Sequence, residues 1–278
     1  MTARPVRGLL LRLAGPLQSW GTHSKYLQRD TARFPTRSGV IGMLAAGLGR
    51  PRGASLDDLT ALSMTVRVDR PGVVLSDFHT VGGGLPADET VITVNGEHRP
   101  EGKGTLVSKR YYLADASFVV ALTSDDEALL QSCADALRTP HWPLFLGRRS
   151  CPPEGPILLG IVEDPLHHLT RMPLATKKPR TSPQPIEFYG DRPLGILPLT
   201  AVVPGHDHGD HHSGEVNDEP ISFAPSARQY RPRPLYRRSA LLPDAEYGGL
   251  ATDYLRKLQL YTDTHFTAPK RSAWWHCG

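Results

Sequence analysis

The sequence predicts an α+β fold that consists of a βαββαβ core, an inserted β-hairpin and an irregular C-terminal region that contains strands. Three observations predict it. Apolar runs of strand length alternate with helix-like segments along residues 1–165. An Asn-Gly dipeptide lies between two extended runs, which is a strong hairpin signal. Beyond Asp164, proline recurs every few residues and the regular pattern is lost.

Composition limits the class of protein. The 278 residues are 39% hydrophobic and 22% charged, so a sizeable core is expected rather than disorder. No uncharged apolar run approaches the roughly 18 residues of a membrane span, and Arg12 interrupts the apolar N-terminal run without a signal-peptide cleavage pattern. Cys133, Cys151 and Cys277 are widely spaced, which favours a reduced, cytoplasmic protein.

The charge indicates a partner only weakly. The net charge is +4, and Arg supplies 25 of the 32 basic residues. The planar guanidinium pairs with phosphate and stacks on bases, which suits an RNA partner. A GC-rich genome would produce the same preference for Arg.

The first elements follow from local signals. Val6–Leu13 is a predicted strand, and the turn sequence GPLQSWG follows it. Phe34–Gly49 contains a predicted helix, because Pro35 suits the first turn and Gly49 is a typical C-cap. Ser55–Leu62 is predicted to form a second short helix, with two acidic residues in its first turn.

A hairpin arm is predicted at about residues 80–110. Met64–Asp69 and Val73–His79 are predicted strands before it, and Asn95-Gly96 is its predicted turn. The elements after the arm are a strand at Ser117–Leu122, a helix at Ser124–Arg138, and strands at Pro143–Leu146 and Ile157–Val162. Without the arm, this order is the ferredoxin-like pattern, which RRM domains share.

Two regions are therefore expected: residues 1–165, with the arm, and a C-terminal accessory region, residues 166–278. His206–Glu219 carries five acidic residues, four His and no Lys or Arg, so we expect an exposed, mobile loop at about 205–220. The His spacing is not that of a closed zinc site, and we expect neither a metal nor another cofactor. Asp253–Leu260 is a predicted terminal helix.

Four segments resemble one protein family. They are LRLAGPLQSWG (Leu11–Gly21), RFPTRSGVIGMLAAGLG (Arg33–Gly49), DFHTVGG (Asp77–Gly83) with YYLADASFVVAL (Tyr111–Leu122), and FLGRRSCPP (Phe145–Pro153). In this order they resemble the CasD-type subunits of Cascade, the type I-E CRISPR surveillance complex, which belong to the RAMP superfamily. Phe223–Tyr236 resembles the family's terminal strand region.

The resemblance implies a non-catalytic RNA-binding subunit. Such subunits cap the repeat-derived 5′ handle of the guide RNA between an RRM-type palm and a hairpin thumb, and they support assembly of a complex that targets foreign DNA. The implied partners are the guide RNA handle, a CasC-type backbone subunit and a CasA-type large subunit. Target DNA would be met only through the assembled complex, and no membrane partner is implied. The thumb would be the arm at about 80–110.

Binding a single-stranded handle requires phosphate partners, hydrogen-bond donors and flat rings. The turn after the first strand offers Gln18, Ser19 and Trp20. The alternative is that Trp20 is a core anchor and Gln18 a turn residue.

The start of the first helix is a second candidate. Arg33, Arg37 and Ser38 lie there, where free N–H groups and the helix dipole favour phosphate. Ordinary capping with solvated arginines is the alternative.

Further candidates lie in polar segments and in the arm. They are Lys25, Arg29, Lys109, Arg110, Tyr111, Arg148 and Arg149. Strand alternation sends Lys109 and Tyr111 to one face of the arm and Arg110 to the other. The basic stretch from Arg228 to Arg238 faces RNA, another subunit or solvent.

A metal-independent endoribonuclease that processes the CRISPR repeat is the main alternative. Such cleavage needs a base for the 2′-OH and an acid for the leaving oxygen. The candidates are His23, Lys25, Tyr26, His79 and Lys109. Relatives that cut place a His directly after an arm-strand Lys, whereas Arg110 follows Lys109 here, and Arg does not act as a general base. A protein-interaction module is a third possibility.

Overall fold

A computed structural model describes residues 6–22, 27–93, 96–100, 102–199, 202–207, 212–225 and 227–266. The strands are β1 (Arg7–Ala14), β2 (Leu17–Gln18), β3 (Gln28–Arg29), β4 (Ser63–Arg70), β5 (Val73–Val81), β6 (Leu106–Ala114), β7 (Ser117–Ser124), β8 (Leu158–Glu163), β9 (Ile186–Gly190), β10 (Val202–Asp207), β11 (Gly214–Ser222) and β12 (Gln229–Ala240). The helices are α1 (Arg37–Gly47), α2 (Asp57–Thr60), α3 (Glu127–Arg138), α4 (Pro165–Arg171) and α5 (Ala251–His265). The predicted α+β class is confirmed. No helix within these ranges is long and apolar enough to cross a membrane.

The main sheet, which we call the palm sheet, has the strand order β10-β12-β9-β4-β7-β1-β8, with antiparallel neighbours. The predicted strand at Pro143–Leu146 is wrong, because these residues form a loop. Pro143 has no N–H for a ladder. Leu146 instead donates its N–H to the Cys151 carbonyl and accepts one from Ser19.

Helices cover both faces of the palm sheet. Along β1, Leu9 and Leu11 join a core with α1 and α3, whereas Leu10 joins a second core with α4 and α5. This split follows from the two-residue alternation of side chains along a strand. An RRM domain binds bases on an open face of its sheet. Here both faces are buried, so a nucleic acid has to be bound elsewhere.

A buried ion pair anchors the chain that follows α4. The side chains of Arg67 and Asp69 are fully buried and paired at 2.7 Å. Arg67 donates to three carbonyls within residues 169–173, and Asp69 accepts the N–H of Ala175. All of this charge is therefore matched by partners, as buried charge must be.

The arm is longer than the sequence indicates. Strands β5 and β6 pair antiparallel from Val73 opposite Ala114 to Val81 opposite Leu106, so the arm runs from 73 to 114 instead of 80–110. Val73–His79 therefore belongs to the arm and not to the palm sheet. Ile92 bridges His98 across the predicted Asn95-Gly96 turn. Asn95 itself lies outside the described residues.

The C-terminal region continues the palm sheet, since β9 pairs with β4 and β12 pairs with β9. The expected exposed loop at about 205–220 needs correction. Residues 214–222 form β11, and Asp218 and Glu219 within it are buried. Their cationic partners, Arg37 and Arg233, lie outside the acidic segment from which the loop was predicted. The terminal helix α5 extends beyond the predicted Asp253–Leu260 in both directions.

Candidate nucleic-acid interface

A cleft of about 1590 Å³ lies beside α1. Its walls are α1 with the loop after it, the part of the arm around Arg110, which we call the arm root, the separate loop at residues 142–152, and the β11–β12 hairpin. A small-molecule site has roughly 300–1,000 Å³, so this cleft has room for a polymer segment. Seven arginines line it: Arg29, Arg50, Arg52, Arg110, Arg148, Arg149 and Arg228. None of its described lining residues is acidic.

Two of these arginines lie side by side, and Asp77 lies opposite one of them, Arg110, on β5. Strands β3 and β6 pair in parallel, with Arg29 beside Arg110. Both line the cleft. Like charges on neighbouring strands repel each other, and within the described chain neither has an ion-pair partner. An anion in the cleft would remove this repulsion, as a phosphate does.

Arg148 and Arg149 have different roles. Arg148 donates to the carbonyls of Tyr111, Arg29 and Asp30, and its guanidinium lies 4.9 Å from the Tyr112 ring centroid. It therefore joins the arm to the end of β3. Arg149 is exposed at the cleft and makes no ion pair within the described residues, so its donors face solvent.

Gly147 positions this arginine loop. Its φ is +85°, and a Cβ there would overlap the carbonyl oxygen of Ser19. We expect Gly147→Ala to lower the free energy of unfolding by about 2–3 kcal/mol, through backbone strain and the displaced loop. Gly84→Ala is the matched control, because Gly84 has φ +75° with nothing within 4 Å of its Cβ position. This variant should lower the free energy of unfolding only by the cost of the backbone strain, about 1 kcal/mol. Equal losses in chemical denaturation would contradict this.

Aromatic rings supply flat surfaces at the cleft, and of these only Tyr230 lies in a stretch for which the sequence suggested an RNA contact. Trp142 is 42% exposed at the cleft, and Phe145, Phe223 and Tyr230 also line it. Base stacking on such rings is a general mode of single-strand binding. Two features of the sequence could have indicated this part of the site. They are Trp142, which Pro143 follows, and the Arg50-Pro51-Arg52 turn after α1.

The side chains of Gln18, Ser19 and Trp20 are almost fully buried, although Ser19 and Trp20 border the cleft, which corrects the prediction of open, ligand-facing side chains in this turn. Gln18 is fully buried, donates to the carbonyls of Leu13 and Ala116, and accepts the indole N–H of Trp20 at 3.0 Å. Ser19 is buried and donates to a backbone carbonyl of the arm. The ring of Trp20 is 1% exposed, so it is a core anchor.

The start of α1 is also not a phosphate site. The carboxylate of Asp218 accepts the N–H of Arg37 at 2.7 Å. The Arg37 side chain is 4% exposed and is paired with Asp191 at 2.5 Å and with Glu219. Protein carboxylates therefore occupy the place predicted for phosphate, which corrects the prediction for Arg37. Among its predicted neighbours, Ser38 lines the cleft and Arg33 is exposed outside it.

The remaining predicted residues separate by strand face. Lys109 lies with its ammonium 5.5 Å from the Tyr111 ring centroid, on the arm face opposite to Arg110. Neither Lys109 nor Tyr111 lines the cleft, whereas Arg110 does. The alternation predicted for this strand is confirmed. Hydrogen bonds from Gln28 and then Lys109 lower the pKa of the Tyr111 phenol. Lys25 lies outside the described residues.

The described nuclease candidates do not converge. His79 pairs with Ser108 across the arm, so Lys109, the next residue, projects from the opposite face. Lys109 is exposed and His79 is half-buried, and the imidazole of His79 lies 3.4 Å from the Asp77 carboxylate. An acid and a base for one scissile bond must both be within hydrogen-bond reach of it, and these two are not. His23, Lys25 and Tyr26 lie outside the described residues.

Comparisons with known proteins point to one family. A family model described as CRISPR-associated protein (Cas_Cas5) matches residues 8–236. The CRISPR system Cascade subunit CasD of Escherichia coli (strain K12) is 39% identical over 158 residues, which cover 55% of this chain and 70% of that protein.

Two solved structures are also similar. A chain of a CRISPR RNA-guided surveillance complex is 40% identical with a TM-score of 0.76, over 92% of this chain and 99% of that one. A second structure, described as a crystal structure of a Cas protein, is 33% identical with a TM-score of 0.56, over 86% and 97% of the two chains.

Proposed function

Because the chain belongs to the CRISPR-associated Cas5 family, we propose that it is a non-catalytic Cascade subunit that holds the guide RNA in the arginine-lined cleft. The observation that carries the proposal is the cleft without acidic lining, in which Arg29 and Arg110 lie side by side. The phosphates of an RNA backbone would offset the repulsion between these two cations.

The bound segment is proposed to be the repeat-derived 5′ handle, with the arm as the thumb. The arm root contributes Arg110 to the cleft, so the arm and the palm would contact the same RNA. A CasC-type backbone subunit and a CasA-type large subunit are the proposed protein partners. Target DNA would be met only through the assembled complex.

Cleavage of the repeat is not part of the proposal. The separation of His79 and Lys109 on two faces of the arm supports a binding role. Burial raises the pKa of the Cys133 thiol to about 11, so this cysteine is not an activated nucleophile.

A single assay tests both binding and cleavage. The purified chain is incubated with labelled repeat RNA in the presence of a chelator, and the same samples are run on native and denaturing gels. We expect a native shift with intact RNA. A discrete cut at the handle boundary that His79→Ala abolishes would establish the endoribonuclease instead. A cut that survives in a mock purification lacking the chain would identify a contaminant.

A further inference from the structure

The β11–β12 hairpin forms the wall of the cleft opposite the arm. It comprises residues 214–240 and pairs from Gly214 opposite Leu235 to Ser222 opposite Gln229. Asn217, Phe223, Arg228 and Tyr230 line the cleft, so the end of this hairpin faces the same space as the arm root. Nothing in the predicted βαββαβ core accounts for this wall.

Buried charges fix the base of the hairpin to α1. Asp218 accepts the first N–H of α1 and is paired in a bidentate manner with Arg233, at 2.6 and 3.0 Å. Glu219 is paired with Arg37. Thr36, the residue before α1, makes no side-chain cap hydrogen bond, so Asp218 caps the helix in its place. Directional buried contacts of this kind hold one orientation of the hairpin.

The end of the hairpin packs beside α1 and the loop after it. A Cβ at Gly42 would lie 3.6 Å from the Phe223 ring, and a Cβ at Gly53 would lie 3.7 Å from the Ala224 side chain. Phe223 in turn lies 6.4 Å from the Tyr230 ring, measured between centroids. The Phe223 ring thus lies beside the Tyr230 ring, and Tyr230 is 37% exposed and lines the cleft.

The exposed groups at this end have the chemistry of a single-strand binder. Arg228 is exposed and makes no ion pair within the described chain. It lies beside an exposed aromatic ring, and interleaved cations and rings bind phosphates and bases respectively. Arg149 and Arg52 line other parts of the same cleft.

We propose that the β11–β12 hairpin is a second RNA-contacting finger, in which Tyr230 stacks on a nucleobase and Arg228 contacts a backbone phosphate. The inference rests on the proposed function, since it assigns the hairpin to the same bound RNA. The RNA would then be held from two sides, by the arm root and by this finger. A single-stranded segment fits the arrangement because a ring can stack only on an unpaired, accessible base.

The test measures binding of the full chain to a 3′-labelled single-stranded RNA of the handle sequence by fluorescence anisotropy, at several salt concentrations. Tyr230→Leu should weaken binding by about 5- to 100-fold, the range for one stacked base, and Tyr230→Phe should remain within about twofold, because the ring is kept. Arg228→Gln should lower the slope of log affinity against log salt by about 0.7. Arg231→Gln is the matched control, since Arg231 is exposed on β12 three residues after Arg228 but does not line the cleft.

The outcomes separate this inference from the proposed function. If Tyr230→Leu and Arg228→Gln bind like the parent while Arg149→Gln binds more weakly, the hairpin is not a finger and the cleft assignment stands. If neither the hairpin variants nor Arg149→Gln weaken binding, both assignments are wrong. If Arg231→Gln weakens binding as much as Arg228→Gln, the effect is one of net charge, and the finger is again rejected.

Discussion

Replacing Arg110 and Arg149 together by glutamine is expected to weaken binding of the handle RNA by about 100-fold. Each guanidinium supplies a charge-assisted contact that contributes about 1.5 kcal/mol or more, and 1.4 kcal/mol corresponds to a tenfold change in affinity. The two residues lie on different walls of the cleft, so their losses should add. The slope of log affinity against log salt should fall by about 1.4, since each single-strand phosphate contributes about 0.7.

The control for this experiment removes the same charge elsewhere. Arg180 and Arg256 are exposed and do not line the cleft. The double variant Arg180→Gln, Arg256→Gln should therefore keep the parent affinity within about twofold, apart from the small long-range effect of net charge. Equal losses in the two double variants would show that RNA binding follows net charge alone and that the cleft is not the site.

Arg37→Met is expected to lower the free energy of unfolding by about 3–5 kcal/mol, the usual effect of removing one partner from a buried ion pair. The change would leave Asp191 and Glu219 buried without the cation that both contact. Methionine has a similar length and keeps the packing of the side-chain stem. Chemical denaturation followed by circular dichroism measures the loss.

Asp191→Asn is the matched variant. The network of Arg37, Arg233, Asp191, Asp218 and Glu219 has two cations and three carboxylates, so neutralising one carboxylate balances it. Asparagine still accepts the N–H of Met64, which Asp191 accepts at 2.8 Å. We expect a loss of about 1 kcal/mol or less. A loss as large as that of Arg37→Met would contradict this account of the network.

Acid should partly rescue Arg37→Met. Burial raises the pKa of Asp191 above its ordinary value, and Arg37 opposes that rise. Without Arg37 the folded-state pKa rises further, so the folded state binds a proton more readily than the unfolded state does. The penalty of the variant is then fully present above the folded-state pKa and decreases as the pH falls through it.

Local signals predicted much of the fold. The apolar runs of β1, β4 and β7 and the glycine after α1 are visible within short windows, and Gly49 indeed has φ +71°. The strand β11 could not be found in this way. Its acidic residues look solvated in sequence, and the arginines that bury them lie on α1 and β12.

The site was predicted less well, for a related reason. Whether a ring after a strand faces a ligand or the core depends on distant packing partners. Trp20 packs against Gly39 of α1, where a Cβ would lie 2.7 Å from its ring. Arg37 meets three carboxylates from later parts of the chain. Strand alternation separated Arg110 from Lys109 and Tyr111 but left open which face meets a ligand, and it is Arg110 that lines the cleft.

Site-specific crosslinking in the assembled complex tests the central claim most directly. The photoreactive residue p-benzoylphenylalanine would replace Trp142, which is 42% exposed in the cleft, or Leu260, which is 69% exposed on α5 across the palm sheet. The complex would be purified with its guide RNA, irradiated, and the adducts mapped. The account predicts an RNA adduct within the 5′ handle at position 142 and none at position 260. An adduct at 260 without one at 142, or adducts outside the handle alone, would contradict it.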